Sequence, residues 1–161
     1  MAFLNRLVPH SISLGRLPEQ SVLWREQLLT RRNDLRGGSF RDATIALCAL
    51  VAAADGGIDP EHRARLAQRI GADPALQQFP ADELRNLFED NCSRMSMDPA
   101  FGRAYVMAQI AKCTDTPIQA RAVMQLGIMI GAVNGALAAH EVAAVLEACQ
   151  VLHLDSHEFG V

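Results

Sequence analysis

The sequence predicts an all-α fold, a compact bundle of about seven helices with an internally duplicated helical core. Three observations predict it. No segment shows the apolar–polar alternation of a half-buried strand. Half of the 161 residues are hydrophobic but only 5 % are aromatic, so the apolar content is mostly Ala, Leu, Val, Ile and Met, suited to close helix packing. Helix start signals recur as Asp59-Pro60, Asp73-Pro74, Asp98-Pro99 and Thr116-Pro117, and they cut the chain into helix-length pieces.

The elements follow in order. Residues 18–33 place Val22, Trp24, Leu28 and Leu29 among charges, the pattern of a peripheral helix, and Arg36-Gly37-Gly38 breaks it. Residues 39–54 open with Ser39 as a cap and Asp42 three residues on, then turn apolar on every side from Ile45 to Ala54, as a helix buried all round would. Asp59 and Pro60 start a helix that Gly71 should stop at its left-handed end. Asp73-Pro74 begins a short turn, and Pro80 opens a helix over 81–95. Asp98-Pro99 opens one reaching Cys113, with Phe101, Tyr105, Ala108 and Lys112 at helical spacing. Thr116-Pro117 opens a long helix to Val133, and 138–152 is the last before Asp155 introduces the tail SHEFGV. Met95, Met97 and Met107 read as core.

Charge divides the chain in two. Residues 1–38 carry six arginines against three acids, net +3, whereas 39–161 carry nine bases and fifteen acids, net −6. We therefore separate a basic N-terminal arm and peripheral helix (1–38) from a helical domain (39–161). An acidic body argues against nucleic-acid binding, which needs a basic face. The arm could lay Phe3, Leu4, Leu7 and Val8 with Arg6 on an anionic membrane surface. Alternatively it packs on the body with Arg31, Arg32 and Arg36 near carboxylates, the reading that Pro9 and Pro18 favour by interrupting any long amphipathic helix. Cys48, Cys92, Cys113 and Cys149 are scattered and form no CxxC, as expected of buried free thiols in a reducing compartment. No apolar run reaches the roughly 18 residues of a membrane span, and the N-terminus lacks the continuous apolar stretch of a secretory signal, so a cytoplasmic protein is expected.

The duplication shows when FRDATIALCALVAAADGGIDPEHRARLAQRI is laid over IQARAVMQLGIMIGAVNGALAAHEVAAVLEAC with a shift of 79 residues. Asp55-Gly56 then meets Asn134-Gly135, Ile58 meets Leu137, His62 meets Glu141 and Leu66 meets Val145. Each unit reads as an apolar helix, an Asp/Asn-Gly turn, an apolar step and an amphipathic helix.

The two turns hold the candidate site. Asp55, Asp59 and Glu61 on one short loop could offer oxygen ligands to Ca²⁺ or Mg²⁺, with Gly56 and Gly57 freeing the backbone. The same residues equally make two helix ends, Gly56 closing one helix while Asp59 caps the next and Glu61 faces its positive end. The second turn keeps one acid, Glu141, beside Asn134 and His140. Other patterns carry less. His140-Glu141 lacks the second histidine of a zinc-protease HExxH, because position 144 is Ala. Cys149, His153 and His157 stand four apart, but Asp155-Ser156 should break the helix between the histidines, leaving a buried Cys and two surface His. No nucleophile–base pair or phosphate loop is visible, so no enzymatic activity is expected.

FRDATIALCALVAAADG (40–56), GIMIGAVNG (127–135) and the ending LHLDSHEFGV (152–161), in that order and spacing, resemble the TerB family of tellurite-resistance proteins over residues 38–161. The resemblance implies an internally duplicated, all-helical, non-enzymatic cytoplasmic protein of tellurite resistance and stress response. It also implies protein partners at the inner face of the membrane, no small-molecule substrate, and a divalent cation, Ca²⁺ or Mg²⁺, held by acids near the turns. The corresponding positions here are Asp55, Asp59, Glu61 and Glu141. The second turn departs from the family's dense acidic pattern, which sets against this a metal-free interaction module like the TerB-like domains fused to co-chaperones.

Overall fold

The computed structural model describes residues 11–13, 17–56, 58–132 and 135–161. The reading of Phe3, Leu4, Leu7 and Val8 as a membrane contact, and the roles given to Gly57 and Asn134, lie outside the described residues. The described chain forms strand β1 (Ser11–Ser13), helices α1 (Leu17–Thr30), α2 (Gly38–Ala52), α3 (Pro60–Ala72), α4 (Ala81–Met97), α5 (Pro99–Ile110) and α6 (Pro117–Gly131), strand β2 (Ala136–Ala138), and helix α7 (Ala139–Val151). The all-α architecture holds, with one addition: β1 and β2 pair antiparallel, Ile12 opposite Leu137. Three-residue strands are too short to show a period, so the sequence carried no sign of them.

α2 is the centre of the bundle. Every residue from Ala43 to Ala52 is buried, and α3, α4, α5, α6 and α7 all pack against it. Its apolar circumference thus has a partner on every side. α6 crosses it closely, with Gly127 seated on Leu47 and Gly131 on Val51. The hairpin of α6 and α7 repeats that of α2 and α3: each of its four helix bounds falls 79 residues after its counterpart. Gly56 and Gly135, matched by the same shift, both take positive φ, +90° and +77°, the conformation that glycine reaches without a Cβ penalty.

Several caps differ from expectation. α2 starts one residue before Ser39, behind an extended Gly37 with no side-chain cap. Asp42 is instead drawn into ion pairs with Arg41 (3.0 Å) and Lys112 (2.7 Å). α3 runs through Gly71 and ends at Asp73, because Pro74 holds the residue before it in extended backbone. Asp73 then accepts a hydrogen bond from the Ala75 N–H at 2.9 Å and starts the expected short turn. Asp98 caps α5 through the Phe101 N–H. Met95 is buried and Met107 packs against the core, but Met97 is 86 % exposed, so its assignment to the core is corrected: no neighbour covers the last turn of α4 on that side.

α1 is more deeply docked than a peripheral helix. Trp24 and Leu28 are buried, and the Trp24 ring meets Phe159 edge-on at 6.1 Å between centroids. Its ion pair with the body is made by Arg25, to Asp73, whereas Arg31, Arg32 and Arg36 are exposed. The four cysteines are buried free thiols. α7 ends at Val151, earlier than the break expected between the histidines, and His153 takes a φ of +56°. Cys149 therefore stays inside while His153 and His157 are on the surface.

Candidate functional site

The duplication places the two turns side by side. The first turn leaves α2 and enters α3; the second leaves α6 and enters α7. Because α2 and α6 pack along each other, both turns emerge at one end of the bundle. Between them lies an open cleft of about 620 Å³, floored by Val51 and Ala52. Asp55, Asp59, His62 and Arg65 line it from the first half, Ala138, His140 and Glu141 from the second.

Three of the four predicted acids, Asp55, Asp59 and Glu141, thus face a common space. Glu61 does not line it; it sits exposed in the first turn of α3, where a carboxylate favours the positive helix end. Asp59 occupies the N-cap position ahead of Pro60, as expected, but makes no side-chain cap bond. Glu141 reaches back to accept from the Ala138 N–H at 2.7 Å, so one of its oxygens already secures the start of α7. His62 and Arg65 were missed by the sequence reading. The available signal was spacing: Asp59, His62 and Arg65 recur every third residue and so share one face of α3.

Three carboxylates against one guanidinium leave the cleft acidic, which suits a hard cation. Yet among the described residues no three His, Cys, Asp or Glu side chains gather closely enough to hold an ion jointly. Carboxylate oxygens are the donors that Mg²⁺ and Ca²⁺ take.

A second surface feature lies on the α4–α5 corner. Phe101, 78 % exposed, and Met97 line a groove of about 380 Å³ with Tyr105, Arg94 and Asp98. The Arg94 guanidinium sits over the Tyr105 ring, 4.0 Å from its centroid, and pairs with Asp90 at 2.9 Å.

Comparison with known proteins bears on the family of the chain. The family model described as tellurite resistance protein TerB matches residues 41–161. A curated relative, the tellurium resistance protein TerB of Alcaligenes sp, is 24 % identical over 104 residues, which is 65 % of this chain and 85 % of the relative. No solved structure matches the chain. Among the described residues, no helix is long and apolar enough to cross a membrane.

Proposed function

This chain belongs to the TerB family, and from that premise we propose that it is a non-enzymatic cytoplasmic protein of tellurite resistance and stress response. Its working site is the cleft between the two turns. There Asp55 and Asp59, with the free oxygen of Glu141, hold a hydrated Mg²⁺ or Ca²⁺, and the loaded face docks a protein partner at the inner side of the membrane. The observation that carries this reading is the shared lining: acids from two turns, 82 residues apart at Asp59 and Glu141, open onto one space. Glu61 contributes to the field of the site without touching the ion.

A second reading rests on the exposed pair Met97 and Phe101. Apolar side chains this open, in a groove with an aromatic and a guanidinium, are the features of a docking surface that needs no metal. One pair of variants separates the two. Calorimetry with Mg²⁺ and Ca²⁺ on the wild type and on Asp55→Ala/Asp59→Ala should show heat that the variant loses; no heat and no thermal shift in the wild type sinks the cation. Tellurite tolerance of cells relying on each variant then assigns the working face. Loss with Asp55→Ala/Asp59→Ala and retention with Met97→Ser/Phe101→Ser supports the cleft, and the reverse supports the metal-free surface.

A further inference from the structure

The N-terminal strand closes against the cleft's second wall. β1 and β2 pair with Ser11 opposite Ala138, Ile12 opposite Leu137 and Ser13 opposite Ala136. β2 runs straight into α7, whose first residues bring His140 and Glu141 to the cleft. The Ala138 N–H is given to Glu141, and Ile12 stands opposite Leu137 at the centre of the three paired positions. Leu137 itself is fully buried. The strand is delivered by a well-anchored helix: Arg25 pairs with the buried Asp73, and Trp24 packs on Phe159. A second clamp acts upstream, where the Arg69 guanidinium donates to the Met129 and Ile130 carbonyls at 2.8 and 3.2 Å, at the end of α6.

We propose that β1 (residues 11–13) and α1 (17–30) act as an intramolecular strap, α1 its anchor and β1 its band, which holds the start of α7 in register and so positions Glu141 and His140 in the cleft. Strap and anchor lie outside the family-matched residues 41–161. Its effect on cation uptake rests on the reading above; its effect on the wall does not. Held from both ends, the second turn presents its carboxylate at a fixed distance from Asp55 and Asp59. Without β1, the extended backbone of 136–138 loses its pairing partner, and the Glu141 cap on Ala138 is left to hold the start of α7 alone.

The test uses the full chain. Ile12→Pro puts a residue with no backbone N–H at the centre of the paired strand and leaves the Arg25 and Trp24 anchors intact, while Ile12→Val keeps the strand. Amide exchange over residues 135–141 is expected to speed up about tenfold in Ile12→Pro, and to stay at the wild-type rate in Ile12→Val. The Mg²⁺ or Ca²⁺ affinity of Ile12→Pro should fall about tenfold, the scale at which loss of a group that orients a ligand is felt. Unchanged exchange in Ile12→Pro overturns the strap. Faster exchange with unchanged affinity overturns its positioning role. If the wild type takes up no cation, the cation reading falls, and the exchange result alone decides the strap. Exchange that rises equally throughout the protein marks general destabilisation, and it too overturns the proposal.

Discussion

Arg25 clasps Asp73 with both arms of its guanidinium, Nη1 to Oδ1 at 2.5 Å and Nη2 to Oδ2 at 3.1 Å. Asp73 is nearly buried and also caps the turn at Pro74–Leu76, so one carboxylate fastens α1 to the body and ends α3.

Removing the arginine leaves that carboxylate without its charge partner in a poorly hydrated place. Arg25→Ala should cost about 2–3 kcal/mol, and Arg25→Lys less, since an ammonium cannot grip both oxygens. Urea unfolding of the purified variants measures it. A cost below about 0.5 kcal/mol, the range of ordinary surface changes, would mean that α1 is docked by its apolar face alone.

Two glycines should respond to alanine with opposite signs. A Cβ on Gly102 would lie 2.6 Å from the Met95 Cα, and backbone has nowhere to go, so Gly102→Ala should destabilise by about 1–3 kcal/mol. A Cβ on Gly71 meets the Ala81 Cβ at 3.8 Å and the Arg85 Cδ at 4.0 Å, ordinary contacts within a continuing helix, so Gly71→Ala should stabilise by about 0.5–1 kcal/mol. Thermal melts of the two variants give the signs directly.

Burial pushes the thiols up, to about 11 for Cys113 and Cys149 and about 12 for Cys92, and further for Cys48. A thiol raised in the folded state keeps its contribution below the unfolded value. Unfolded thiols ionise from about 8.5, so folding stability should hold through neutral pH and decline from there towards 11 and 12. Unfolding free energies at pH 7 and pH 10 should fall in that order. A disulfide-exchange reagent at pH 8 should modify the native thiols far more slowly than those of the urea-unfolded chain.

Met97→Ser/Phe101→Ser should leave the unfolding midpoint nearly where it is, because both side chains already stand in water. The same change should lower retention on a hydrophobic column. A large loss of stability would show that the α4–α5 corner is covered after all.

Much of the fold was written in local chemistry. Asp98-Pro99 and Thr116-Pro117 start helices because proline suits a first turn and an acid or hydroxyl suits the position before it, requirements met within a few residues of chain. The apolar stretch from Ile45 to Ala52 revealed a helix buried all round, although Ala53 and Ala54, read with it, lie half-buried in the turn, and the shift of 79 matched helix bounds as well as residues. What escaped depends on who the neighbours are. Met97 and Phe101 share helical spacing with buried residues, and spacing alone does not say which side of a helix another element covers. Ser39 had a cap's identity, but Asp42 found cations on Arg41 and Lys112. The cleft was half legible: the acids marked the turns, whereas His62 and Arg65 line it through the face that α3 turns to the second half.

The packing of Gly127 on Leu47 and of Gly131 on Val51 has a consequence for the chain's assembly. α2 and α6 each cover the other's apolar face, but α2 also packs on α3, α4 and α5, so it is the α6–α7 hairpin that borrows its interior from the rest of the chain. The unit that repeats is a pattern of sequence, and the unit that folds is the bundle around α2. Cut between α5 and α6, the polypeptide should yield a C-terminal fragment that acquires structure only on meeting the N-terminal one.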